Sequence, residues 1–316
     1  MKHRQLGRSG LSVPILCFGC NVLGWTVDEA ASFRLLDKVL DSGLNFLDTA
    51  DVYSRWAPGH SGGESETIIG RWMTARGNRD RIILATKVGW DMGDGKIGLK
   101  ADYIARAVED SLRRLQTDHI DLYQSHRDDP NTPQEETLAA YDKLIKSGKV
   151  RVIGASNFSA ERLQSALDIS NKTGLPRYES LQPEYNLAKR SVYEGALQRV
   201  CEANEVGVIT FFSLAAGFLT GKYRSEADFG KSPRGQRAIP EYMNARGLRI
   251  LAALDEVARE TGAELAAIAL AWLMAKPSVT APIASATKPE HVDTLVAATR
   301  LELSRDQVAQ LDAASA

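Results

Sequence analysis

The chain has 316 residues, 44% of them hydrophobic and 25% charged, an ordinary globular composition with enough apolar material for a large core. Its formal net charge of -1 leaves no basic field to draw nucleic acid or an anionic membrane surface, and no window approaches the roughly 20 apolar residues of a membrane helix. Three cysteines, an odd number, argue against a secreted disulfide framework, so a cytoplasmic protein is expected.

The N-terminal run "MKHRQLGRSGLSVPILCFG" puts basic residues before apolar ones. Its apolar stretch is short and interrupted by Ser12 and Pro14, unlike a signal peptide. Gly7 and Gly10 lie between two short β-like runs and predict a hairpin. Strands are then expected at residues 15–19, 45–50, 81–88, 120–127, 150–157, 179–186, 206–213 and 280–286. Between them lie helical periodicities with recognisable ends. "DEAASFRLLDKVLDSG" has Asp28 as N-cap, an apolar stripe through Phe33, Leu36 and Leu40, and a stop at Gly43. "ADYIARAVEDSLRRLQ" behaves likewise, as does "SAERLQSALDIS", which Ser159 caps.

Eight strands, each followed by a helix and with no linker-like break, predict an α/β fold: one (β/α)8 TIM barrel domain over residues 1–316. The N-terminal β-hairpin and an extra C-terminal helix, "SRDQVAQLDAAS", stand outside the series. Residues 221–243 form a long polar loop after the seventh strand, and loops of that length are usually functional or disordered. A doubly wound nucleotide fold is disfavoured because no Gly-x-Gly-x-x-Gly follows an early strand. Cys17 and Cys20 have the spacing of a redox pair or half a zinc site. Only Cys201 remains to help, and positions i and i+3 of a strand face opposite ways, so packing is the expected role and no metal is expected.

In such a barrel the C-terminal ends of the strands converge on one face. The second strand ends in Asp48 and runs into Tyr53, the third ends with Lys87, and the fourth with His126. Singly, each has a bland reading as a loop cap, a solvated lysine or a satisfied core histidine; adjacent strands bearing all of them point to chemistry. A free tyrosine, with a pKa near 10, is a poor acid at neutral pH. Lys87 beside it would stabilise the phenolate, Asp48 would hold the ammonium charged, and His126 could hydrogen-bond the same acceptor from the other side. Tyr53 then becomes a proton donor to a carbonyl oxygen. The carbonyl carbon needs a hydride that no amino acid supplies, which implies a nicotinamide cofactor.

Together "FLDTADVYS", "ATKVG" and "YQSH" resemble the segments that carry the catalytic tetrad of the aldo-keto reductases, and the resemblance covers nearly the whole chain. It implies that Asp48, Tyr53, Lys87 and His126 are that tetrad, and that NADP(H) lies extended across the top of the barrel, with Asp48 also near the cofactor. By the same resemblance, Ser156, Asn157 and Gln182 would hold the carboxamide. Phe212 would stack on the nicotinamide in place of the more usual Tyr or Trp. Ser213, Leu214, Gly217, Leu219 and Lys222 would follow the diphosphate, and Arg237 would reach the adenosine side. Near the last strand, "IASATKPEHVDTLV" departs from the pattern: Ser285 stands where Gly is usual, His291 where Gln is usual and Leu295 where Asn is expected. Thr287 and Lys288 remain polar, and Lys288 can pair with a phosphate, which favours NADP over NAD.

Trp25, Arg55, Trp56, Trp90 and Tyr223 fall in loops after strands and are expected around the mouth of the site. Trp25, Trp56 and Trp90 would favour an apolar or ring-bearing carbonyl compound as the small-molecule substrate, whereas Arg55 could meet an anionic group or be solvated. Two competing functions keep the same barrel. One is a Schiff-base aldolase using Lys87, which needs that amine deprotonated. The other is a regulatory subunit that senses cofactor redox state, as potassium-channel β subunits do.

Overall fold

The computed structural model describes residues 1–232 and 239–316. Eight parallel strands close into a barrel in which chain neighbours are also spatial neighbours: β3 (Cys17–Gly19), β4 (Phe46–Asp48), β5 (Ile83–Val88), β6 (Ile120–Ser125), β7 (Val150–Ser156), β8 (Tyr178–Gln182), β9 (Gly207–Thr210) and β10 (Ala281–Ala284), with β10 returning to pair with β3. The expected TIM barrel is therefore present, with an antiparallel hairpin of β1 (His3–Gln5) and β2 (Ser12–Pro14) ahead of it. The strands are shorter than the sequence predicts, for identifiable reasons. Pro183 supplies no N–H to continue the ladder beyond Gln182. Arg81 belongs to a 3-10 turn that the Arg79 guanidinium secures to Ile82 O, His119 O and Asp121.

Side-chain alternation sorts the strands into two cores. Phe46, Ala85, Leu122, Val152, Ile209 and Ile283 point into the lumen, where Leu6, Leu11 and Val13 of the hairpin join them and stopper the N-terminal end. Gly7 allows that fit: at φ 56°, a Cβ there would stand 2.2 Å from Glu179 O. The alternate residues, among them Leu47, Leu84, Val88, Tyr123 and Ile153, face the surrounding helices. The same alternation separates the cysteines, with Cys17 in the lumen and Cys20 in the outer core; both are buried and free.

The helices are α1 (Glu29–Asp41), α2 (Glu64–Arg76), α3 (Ala101–Leu115), α4 (Gln134–Lys146), α5 (Ala160–Thr173), α6 (Ala196–Ala203), α7 (Ala245–Thr261), α8 (Leu265–Met274), α9 (Pro289–Arg300) and the C-terminal α10 (Arg305–Ala314). Asp28 caps α1 by accepting from Ala31 N, and Ser159 caps α5 by accepting from Arg162 N, as the sequence predicts. The buried stripe of α1 runs through Leu35, Leu36, Val39 and Leu40. Phe33 is only half-buried, at the edge of that stripe under the Arg76 guanidinium. Between β9 and α7 a 3-10 turn at Ala215–Thr220 precedes the expected polar loop of residues 221–243, which contains 3-10 turns at Glu226–Lys231 and Ile239–Glu241. No described helix is long and apolar enough to cross a membrane.

Candidate active site

The register of the barrel sets Asp48 level with Ala85 on β5, so Lys87 stands one inward position higher, beside Gln124. Lys87 is wholly buried, and its Nζ donates to Asp48 Oδ2 at 2.6 Å, Thr49 O at 2.8 Å and the Tyr53 hydroxyl at 2.8 Å. Those three acceptors occupy all three ammonium protons. Asp48 Oδ1 accepts from Gln124 and Gln182, each at 3.0 Å, so the carboxylate is bonded to side chains from β5, β6 and β8. Tyr53 reaches Lys87 because the chain turns back after β4: Tyr53 N donates to Ala50 O and Asp51 N to Lys87 O. His126 follows β6, its ring 6.0 Å from that of Tyr53 and 5.1 Å from that of Trp90. All four tetrad candidates are thus contiguous.

Burial pushes the Tyr53 phenol up to about 12, against the opposing pull of the Lys87 ammonium. Lysine assistance is therefore present, but desolvation outweighs it and the resting side chain is a phenol. Burial also works against the charge on Lys87, yet the Asp48 carboxylate and Tyr53 oxygen more than offset it and raise its pKa. His126 is held well below the ordinary imidazole value by burial first and then by the charges of Lys87 and Arg127. Its Nδ1 is buried with no hydrogen-bond partner among the described residues, and Asn157 Nδ2 donates to its backbone oxygen. A histidine kept neutral in the fold costs stability once the unfolded chain can take up the proton. Wild type is thus expected to lose stability relative to His126→Asn as pH falls through the ordinary histidine range, tested by urea midpoints for both proteins between about pH 7.5 and 5.5.

A cavity of about 370 Å³ opens over Tyr53 and His126. Trp56 and Trp90, 43% and 40% exposed, form its outer wall, and Trp25 stands behind Trp56 in edge contact at 5.6 Å. Tyr223 is not at the mouth; it is buried in the core, its hydroxyl bonded to Ser232. Ser156, Asn157 and Gln182 line the floor, where Ser156 Oγ donates to Gln182 O and Asn157 Nδ2 donates to Ser156 Oγ.

The far side is the turn after β9. Phe212, Ser213, Leu214 and Gly217 line the cavity there, and Phe212 is 45% exposed. This turn is bent by left-handed residues, Phe212 at φ 51°, Ala215 at 48°, Ala216 at 54° and Gly217 at 98°. Lys222 Nζ would lie 3.3 Å from a Cβ on Gly217, so a larger residue would crowd the ammonium. Leu219 does not reach the cavity. Its side chain is wholly buried and its N–H donates to Leu214 O. Ser285 lines the cavity and donates to Asn21 Oδ1 at 2.6 Å. Thr287, Lys288 and His291 gather at the exposed start of α9, where Thr287 N approaches His291 Nδ1 at 3.4 Å, and burial together with the charges of Lys288 and Lys222 lowers the His291 pKa. Leu295 is core. Arg237 lies outside the described residues.

Several cavity residues escape the sequence reading: Gly19, Asn21, Val52, Phe211 and Ala216. Gly19 ends β3 and Asn21 follows two residues later, so the rule that strand ends face the site could have found them. Ala216 carries no such signal, since its left-handed φ is ordinarily the province of glycine.

The family model described as "Aldo/keto reductase family" matches residues 15–316. The chain is 35% identical to an uncharacterized oxidoreductase, YrpG, of Bacillus subtilis over 99% of this chain and 95% of that protein. It is 33% identical to L-glyceraldehyde 3-phosphate reductase of Escherichia coli over 99% and 92%. A probable voltage-gated potassium channel subunit beta of Oryza sativa subsp. japonica is 34% identical over 92% and 89%.

Proposed function

Because the chain belongs to the aldo/keto reductase family, oxidoreductases that act on carbonyl compounds, we propose that it is an NADP(H)-dependent enzyme reducing aldehydes or ketones to alcohols, or running the reverse, with Tyr53 as the acid. The observation that carries this reading is the Tyr53 hydroxyl, 2.8 Å from a buried ammonium and facing a cavity with aromatic walls.

The residues present suit a nicotinamide dinucleotide. Phe212 offers an exposed ring face, and the left-handed turn from Phe212 to Gly217 is the kind of backbone concavity that binds anions. Among the described residues the amide N–H groups of Ser213 and Leu214 make no hydrogen bond, which leaves them for a diphosphate. Lys222 and Lys288, exposed and without ion pairs among the described residues, suit phosphate oxygens near the start of α9. When bound, the cofactor supplies the hydride. Lys288→Ala is expected to weaken NADPH binding about five- to tenfold while changing NADH binding little, since only NADPH carries the extra phosphate; fluorescence titration of both nucleotides checks this.

In this reading Tyr53 passes its proton to the carbonyl oxygen as charge grows there. Lys87 lies against the phenol oxygen and offsets the negative charge left behind, and Asp48 keeps Lys87 charged and aimed. The neutral His126 imidazole can donate one N–H to the same carbonyl oxygen, fixing which face of the carbonyl is presented. Trp56 and Trp90 exclude water. Lys87 is poorly suited to Schiff-base chemistry, because all three of its protons are engaged and its pKa is raised. Potassium-channel naming in one relative favours a regulatory role enough to require a test. Oxidation of NADPH by a panel of aldehydes and ketones, followed by absorbance, is the experiment, and no turnover on any of them would reject the reductase reading.

A further inference from the structure

Two arginines flank the Trp90 loop, just outside the residues that line the cavity. Arg127 directly follows His126, and its guanidinium carbon sits 5.6 Å from the Trp90 ring centroid. Trp90 in turn contacts His126 and lines the cavity. Arg127 is exposed and makes no ion pair or side-chain hydrogen bond among the described residues. The carboxylates next to it in the chain are committed elsewhere. Asp128 binds Arg162 through bonds of 2.7 and 2.9 Å, and Asp129 accepts from Leu99 N, Asn131 N and Thr132. Arg55 lies along the same loop, its Nη2 2.9 Å from where a Cβ on Gly93 would stand, also without an ion pair among the described residues. Lys87, by contrast, is neutralised by Asp48.

A guanidinium resting its face on an indole keeps its in-plane N–H fork free, and that fork matches the two oxygens of a carboxylate or phosphate. We propose that the preferred substrates carry an anionic group about one aromatic ring away from the carbonyl, and that Arg127 selects for it, with Arg55 adding to the attraction. The inference rests on the carbonyl-reductase reading above. It goes further by naming a charge on the substrate and the residue that reads it. Arg127 contacts Trp90 and Trp90 contacts His126, which is the basis for a spacing of about one ring between the anionic group and the carbonyl.

Matched aldehydes test this with the full chain at saturating NADPH: 4-carboxybenzaldehyde and 4-formylphenyl phosphate against 4-methylbenzaldehyde. Wild type is expected to show kcat/KM about five- to tenfold higher for at least one anionic compound, mostly through KM, with the advantage shrinking as salt is raised. The two anionic arms tell carboxylate from phosphate. In Arg127→Gln the ratio of anionic to neutral kcat/KM should fall close to one, and Arg127→Lys should restore part of it. Equal use of neutral and anionic aldehydes by wild type, or a preference that survives in Arg127→Gln, would overturn the proposal. Failure to turn over all three compounds would be a different result, rejecting the reductase reading and this inference with it.

Discussion

Tyr53→Phe is expected to lower kcat by about 10²- to 10⁴-fold while leaving NADPH affinity nearly unchanged. Only the hydroxyl is removed, and that oxygen faces the proposed substrate side of the cavity, whereas the proposed cofactor contacts come from Phe212, the turn after it and the start of α9. Lys87 loses one of three acceptors but keeps Asp48 and Thr49 O, so the fold should lose about 1–3 kcal/mol. Steady-state rates with nucleotide titration decide the matter. A variant with wild-type kcat would remove Tyr53 from the chemistry.

Lys87→Met is expected to damage both activity and stability. The Lys87–Asp48 pair is fully enclosed, and deleting one member of such a pair leaves an uncompensated buried charge at a cost of about 3–5 kcal/mol. Gln124 and Gln182 still donate to Asp48, so the carboxylate is not orphaned, which puts the loss nearer the lower bound. The double variant Asp48→Asn/Lys87→Met should recover part of the stability and none of the turnover, because it removes the stranded charge without restoring a cation beside the phenol. Urea midpoints and kcat for the two single variants and the double variant complete the cycle. The raised pKa of Lys87 sets the sign with pH: its contribution is fully present below the ordinary lysine range and is lost as pH rises through the higher folded value.

Much of this was legible in the chain. Strand–helix alternation identified the barrel because each strand run is short and some of the intervening helices announce their start with a capping side chain, as at Asp28 and Ser159. The tetrad candidates were legible because their residue types are unusual at the ends of apolar strands. Other features depend on distant register and carry no local signal. Gln124 reads as an ordinary strand residue until β6 is aligned with β5 and brings it against Asp48. Leu219 and Tyr223 follow cavity-lining residues closely, yet the kinked 3-10 turn at Ala215–Thr220 buries both in the core. Asn21 and Ser285 are 264 positions apart and meet only because the last strand lies beside the first.

The bonds that fix Asp48 have a consequence for how the protein is made. Its partners Gln124 and Gln182 lie 76 and 134 positions further along the chain. A nascent polypeptide emerging from the ribosome already holds the aspartate, phenol, lysine and imidazole long before the eighth of the ten strands is available to lock the carboxylate. Such an intermediate carries every candidate catalytic group without the framework that positions Asp48. The framework around Asp48 is therefore expected to form late, once the long-range pairing that brings β8 into the ring is in place.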